Sequence, residues 1–270
     1  MVTLRTLASE ILRRCLAIGF DSRESIRIVT GPLRGKKLPT QLALKNLAMV
    51  FGRYEPVVVS QLMTIAECGS IAYDIGSHFG FMTLVLASRV GPHGKVMAFE
   101  PVPDNLANLQ DVVLLNNLDN VVSILPKAVS DTVEELSMML GKSSFMNFLQ
   151  KAAQGQDEAS CRKITVETTT VDSFVLEEGH PAPNLLKIDV EGSESLVIEG
   201  ALATLRLHSP TLLIEIHGPA QARRIWELLQ CVGYTWWRLT PVGPRPVHSQ
   251  DECIEPFSPR AWTHHYLMCK

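Results

Sequence analysis

Ile71-Ala72-Tyr73-Asp74-Ile75-Gly76-Ser77-His78-Phe79-Gly80 decides the fold of this chain. It reads as a short buried strand running into a glycine-marked turn, with a helix opening near Phe81. Leu84, Val85 and Ser88 fall on one side of that helix. A parallel strand followed by a turn and a helix start is where open α/β sheets bind ligands. The helix N-terminus offers N–H groups that lack intrahelical partners. Gly76 and Gly80 carry no Cβ, so a ligand can approach the backbone there. Asp74, at the strand tip, is expected to aim its carboxylate into the crevice.

The spacing is D-x-G-x-x-x-G rather than G-x-G-x-x-G. The dinucleotide fingerprint needs a second glycine two positions after the first, to seat a pyrophosphate against the backbone. His78 stands there. A smaller, zwitterionic cofactor fits this turn better. A second strand, Lys95 to Phe99, ends on Glu100, which lies 26 positions after Asp74. An acid at that strand end can accept both ribose hydroxyls of an adenosine.

Three motifs carry a resemblance: Asp74-Ile75-Gly76-Ser77-His78-Phe79-Gly80, Ala98-Phe99-Glu100-Pro101, and Leu186-Lys187-Ile188-Asp189-Val190-Glu191-Gly192-Ser193-Glu194. The chain resembles the S-adenosylmethionine-dependent methyltransferases and, more narrowly, the FkbM family of mostly O-methyltransferases of sugars and natural products. The likeness spans about Gly52 to Tyr266 and departs at His78, where the family usually has asparagine. It implies a Rossmann-like α/β fold: a mostly parallel seven-stranded sheet with helices on both faces and a final antiparallel strand. It also implies S-adenosylmethionine held by Asp74, Gly76, Ser77, Gly80, Glu100, Pro101 and Asp189, and it places Tyr54-Glu55 near the methionine end. Glu55 reads equally well as a first-turn helix charge favoured by the dipole.

Composition fits that reading. The chain has 270 residues, 46% hydrophobic and 20% charged, with a net charge of −3. This balance leaves no broad basic footprint for nucleic acid. The six cysteines form no C-x-x-C pair, so neither a zinc site nor a disulfide framework is indicated, and reduced thiols in a cytoplasm are expected. Arg5, Arg13 and Arg14 interrupt any signal-peptide core, and no uncharged apolar run spans a bilayer. Leu4, Leu7, Ile11, Cys15 and Ile18 mark an amphipathic helix that packs on the domain or on a partner chain, so a homo-oligomer is one expectation.

The expected organisation is a segment 1–52, with that helix and a small hairpin over Ile26 to Leu38, forming a lid or substrate wall. The methyltransferase domain follows over 53–270. Helices are read over Val57–Cys68, from Asp104 or Asn105 to Asn116, and over Pro219–Val232. Val121–Leu125 is the third strand. Ser130, just past it, is a candidate adenine contact or a plain turn residue. Residues 131–183 form an excursion near the substrate mouth, with Phe145, Met146 and Phe148 as lining or as buried core. Thr240–Ser258 is rich in proline and reads as a loop.

The fourth and fifth strands carry the chemistry. Lys187 and Asp189 sit two apart and share one strand face, as do Glu215 and His217. Buried charges need partners. Two adjacent strands thus deliver Asp189, Glu191, Glu215 and His217 to one end of the sheet, with Glu194 capping the next helix. Methyl transfer to a hydroxyl needs alignment and a base. His217 is the expected base, with Asp189 accepting a hydrogen bond from substrate and Lys187 pairing with Glu215. The oxygens of Asp189, Glu191 and Glu215 also suit Mg²⁺, which would acidify the acceptor hydroxyl. Competing readings are an NAD-dependent Rossmann oxidoreductase and a catalytically inactive cofactor-binding protein.

Overall fold

The computed structural model describes residues 25–141, 147–149, 162–258, 261 and 263–270. The expected helix over Met1–Phe20 and the mouth residues Phe145 and Met146 lie outside them. Ser25–Arg27 (β1) and Lys37–Pro39 (β2) form the hairpin, followed by short helices Thr40–Lys45 (α1) and Leu47–Val50 (α2). Then come Pro56–Ile65 (α3), Ile71–Ile75 (β3), Phe81–Val90 (α4), Lys95–Phe99 (β4), Pro103–Leu115 (α5) and Val122–Leu125 (β5). The excursion holds Ala128–Val129 (β6), Glu135–Leu140 (β7), Asn147–Leu149 (β8) and Arg162–Thr169 (β9), then a π-helical turn over Ser173–Glu177. The chain continues with Leu185–Ile188 (β10), Glu194–Glu199 (α6), Leu202–His208 (α7), Thr211–His217 (β11) and Pro219–Gln230 (α8). Thr235–Thr240 (β12), Gly243–Val247 (β13), Gln250–Ile254 (α9) and Thr263–Cys269 (β14) complete it.

The main sheet has the order β13-β12-β14-β11-β10-β3-β4-β5. From β11 to β5 every pairing is parallel, and β14 enters antiparallel beside β11. The seven expected strands are all present, and β13 adds an eighth from the proline-rich stretch read as loop. The excursion makes a separate sheet, β6-β9-β7-β8.

Strand alternation sorts the core into two layers. Ala72, Val96, Ala98, Leu185 and Leu213 face one side with α3, α4 and α5. Tyr73, Ile75, Phe99, Leu186, Ile188 and Ile214 face the other with α6 and α8. Helix α4 is buried on nearly all sides, which explains why it is mostly apolar. Tyr73, Phe99 and Phe174 form a ring trio with centroids 5.2–5.7 Å apart. Each such pair contributes about 0.5–1.5 kcal/mol beyond its area and stiffens the tips of β3 and β4.

The hairpin docks on α5, where the Asn116 side chain accepts from Lys37 N (2.9 Å) and donates to Lys37 O (2.8 Å). No described residue of 25–52 lines the cleft, so the wall at that end begins with Tyr54. Among the described residues, no helix is long and apolar enough to cross a membrane.

Candidate active site

A cleft opens outside the carboxyl ends of β3, β4 and β10. Of the residues expected to hold a cofactor, Glu55, Gly76, Ser77, Glu100, Pro101 and Asp189 line it. Asp74, Gly80 and Ser130 do not.

Asp74 is wholly buried and faces away from the cleft, into the α4 layer. Its Oδ2 accepts from Thr83 Oγ1 at 2.6 Å, and its Oδ1 lies 3.3 Å from Lys187 Nζ. The cause is register: Lys187 and Asp74 are cross-strand partners on the same face. Gly80, at φ +85°, serves packing, since a Cβ there would lie 2.7 Å from Leu109 Cδ1 of α5. Gly76, at φ +79°, is needed for a related reason: its Cβ would fall 1.8 Å from the Asp189 carbonyl oxygen. Bare backbone thus lets the β3–α4 turn and the end of β10 meet. Ser130 is fully buried, its N–H donating to Thr169 O and its hydroxyl to Asp131, so Lys127, Ala128 and Val129 line the cleft instead.

Glu100 organises the opposite wall. Its Oε2 accepts from His78 N (2.8 Å), and its Oε1 accepts from Val102 N (2.9 Å) and Asn105 Nδ2 (3.2 Å). Burial raises its pKa, and these donors oppose the rise. A carboxylate has about four acceptor sites, so one remains open for a hydroxyl. Pro101, Val129 and Met138 give the neighbouring wall an apolar surface suited to adenine. The donor set therefore fits an adenosine with a cationic tail better than a pyrophosphate. Glu100→Ala should weaken S-adenosylmethionine by about 10–100-fold, the loss of one charge-assisted hydrogen bond. Calorimetric titration reads this directly, and an unchanged Kd would remove Glu100 from the site.

The far end of the cleft is acidic. Glu55 sits at φ +40° before α3, makes no capping bond, and lines the cleft. Burial, then Glu215 and Asp189, raise its pKa. Lys187 is 4% exposed and binds three acceptors: Asp74 Oδ1, Asp189 Oδ2 (3.5 Å) and Gly76 O (3.2 Å). Burial disfavours its charge, but Asp74 and Asp189 more than compensate and raise its pKa. Its ion-pair partners are therefore these aspartates; the expected pairing with Glu215 is not among its close contacts. Burial also raises the Asp189 pKa, against Lys187.

His217 stands behind this rim and does not line the cleft. Nδ1 lies 2.9 Å from Glu194 Oε1, and Nε2 lies 3.2 Å from Glu191 Oε2 and 3.8 Å from Glu215 Oε1. Burial pulls its pKa down, but the Glu194 bond and the surrounding carboxylates overcome this and raise it to about 10. Acids at both ring nitrogens favour the imidazolium, which works against the expected role as base. Glu191, at φ +52°, is pushed up to about 8 by burial, with His217 opposing. Burial also pushes Glu215 up, but His265 Nε2, 2.9 Å from its Oε2, wins and holds it near 2.

The Mg²⁺ expectation named Asp189, Glu191 and Glu215. The three do not gather into one ligand set: Asp189 and Glu191 group with His217, whereas Glu215 groups with Glu55 and His265. Glu215 is held by His265 of β14, on the far side of β11 from β10. His265 was not foreseen; β14 brings it opposite Glu215.

A hexuronic acid methyltransferase, AglP of Haloferax volcanii, is 29% identical over 178 residues, 66% of this chain and 68% of that protein. A candidate rRNA methylase from Clostridium thermocellum shares the fold, with TM-score 0.50 and 12% identity over 79% of this chain and 93% of its own. Methyltransferase FkbM of Methylobacillus flagellatus aligns at TM-score 0.49 and 14% identity, over 98% of this chain and 59% of its own. The Methyltransferase FkbM domain profile matches residues 74–235, from the buried Asp74 to the start of β12 and so across both walls of the cleft. With that match the oxidoreductase reading falls, and the chain belongs to the FkbM family of S-adenosylmethionine-dependent methyltransferases.

Proposed function

We propose that the chain is an O-methyltransferase acting on a hydroxyl of a sugar, or of a natural product bearing one. The observation that carries this is the carboxylate rim of Glu55, Asp189, Glu191 and Glu215 facing Glu100 across the cleft. Carboxylates are strong acceptors for sugar hydroxyls and can take the proton an alcohol must lose. The relative that acts on hexuronic acid supports a sugar acceptor.

When bound, S-adenosylmethionine supplies a methyl group on a sulfonium. Glu100 would accept from one ribose hydroxyl with its remaining acceptor site, and Gly76 and Ser77 would shape the turn beside the cofactor. Tyr54 and Glu55 close that end. Asp189, fixed by Lys187, accepts a hydrogen bond from the acceptor and orients it. Glu191 takes the hydroxyl proton, replacing His217 in that role, while His217 supplies positive charge behind the rim. Alignment of nucleophile and methyl group provides most of the acceleration, roughly 7–11 kcal/mol.

The direct test is transfer of labelled methyl from S-adenosylmethionine to hexoses and hexuronic acids. Mild alkali then separates the products, because a methyl ether survives and a methyl ester does not. Alkali-labile product would replace hydroxyl methylation with carboxyl methylation. A pH profile adds a second check. Glu191 accepts a proton only when ionised, and its pKa is raised, so the rate should climb with pH and level off above about 8. A rate that falls over that range would point to a different base.

A further inference from the structure

We infer that Glu194 is a positioning residue of the acceptor site: its buried carboxylate sets the His217 ring so that Nε2 faces Glu191 and Glu215. This rests on the reading of the rim as the acceptor site. Three observations carry it.

First, Glu194 is 0% exposed at the start of α6, yet its Oε2 has no hydrogen-bond partner. Both of its bonds converge on Oε1, from Gly192 N at 2.7 Å and His217 Nδ1 at 2.9 Å. Burying a carboxylate this way is costly, and a neutral residue would serve folding better.

Second, the turn that Glu194 follows is already closed without it. Gln221 of α8 donates to Gly192 O at 2.6 Å and accepts from Ser195 N at 2.9 Å, clamping both sides of the turn. A carboxylate is not required for that local purpose.

Third, the geometry leads to the cleft. His217 is the last residue of β11, with Gly218 at φ +91° behind it, so its backbone is fixed and only its ring can turn. Glu194 holds one edge of the ring. The other edge then lies 3.2 Å from Glu191, whose backbone is left-handed at φ +52° and which lines the cleft. Releasing the ring would remove the donor that holds Glu191.

Glu194→Gln keeps the shape and an oxygen at the Oε1 position but removes the charge. Glu194→Asp keeps the charge and withdraws it by one methylene. In ¹⁵N-histidine spectra of the full chain, assigned by difference with His217→Asn, wild type should show both His217 ring nitrogens protonated at neutral pH. Glu194→Gln should leave only one protonated. The same variant should lose methyl-transfer kcat by roughly 10²-fold, as misplacement by about an ångström does. Its KM for S-adenosylmethionine should stay within about twofold. Glu194→Asp should recover the doubly protonated ring and part of kcat.

A purely structural role predicts something else: a lowered Tm in both variants, with cofactor affinity and kcat falling together and the ring signals unchanged. That pattern, or wild-type ring signals and kcat in Glu194→Gln, overturns the inference. If wild type methylates no sugar at all, the functional reading fails, and the ring signals still decide the role of Glu194.

Discussion

Replacing Lys187 with methionine is expected to lower the unfolding free energy by about 3–5 kcal/mol, the usual result of stripping one partner from a buried ion pair. The side chains concerned are nearly or wholly buried, Lys187 at 6% and Asp74 at 0% exposure. Without the ammonium, Asp74 keeps a single neutral donor, Thr83, in a layer otherwise built from Ala72, Leu84, Val85 and Leu185. Water cannot reach it there. The carboxylate must then stay charged without compensation or take up a proton. The Gly76 carbonyl and Asp189 lose the same cation, so the turn and the rim loosen together. Urea unfolding followed by tryptophan fluorescence measures the loss. Adding Asp74→Asn to the variant should recover most of it, because the stranded charge is gone. A single-variant loss below about 1 kcal/mol would mean that the Lys187–Asp74 pair does not clamp the strands.

Glu191→Gln should cut methyl transfer by about 10²–10⁴-fold, the usual worth of a general base. Glutamine fills the same space and can still accept from His217 Nε2, so the rim keeps its shape. It cannot take a proton. Affinity for S-adenosylmethionine should change less than twofold, because Glu191 lies across the cleft from Glu100. The rise with pH should also vanish from the residual activity. Retention of more than a tenth of wild-type turnover would move the proton to Asp189 or Glu55, the other raised carboxyls of the rim.

Much of the fold was legible because the relevant signals are local. Apolar runs ending in Asp74, Glu100, Asp189 and His217 mark four parallel strands by their flanking turns alone. That the acids of β10 and β11 would meet also followed from period-two alternation. Which acid meets which cation did not, because that depends on strand register. Lys187 meets Asp74 since β10 lies beside β3 with those residues opposite. His265 is invisible for the same reason: β14 is separated from β11 by α8, β12, β13 and α9, and only the final sheet order sets it against Glu215. Expectations for Asp74, Gly80 and Ser130 erred in depth rather than in place. A motif gives position along the chain, whereas Thr83 of α4 and Lys187 of β10, Leu109 of α5 and Thr169 of β9 decide what is covered. The direction of the His217 proton was equally hidden, since Glu194 reads as an ordinary first-turn acid until it is seen buried against the ring.

The rim strand β13 has one further consequence. Pro244 and Pro246 leave two of its five residues without N–H groups, and both are exposed together with Arg245 between them. A neighbouring chain that tried to add a strand at this border would find carbonyl oxygens but few hydrogens to answer its own. Chemistry therefore guards that border against strand addition, and a fibril-like continuation of the sheet past β13 is disfavoured from the outset.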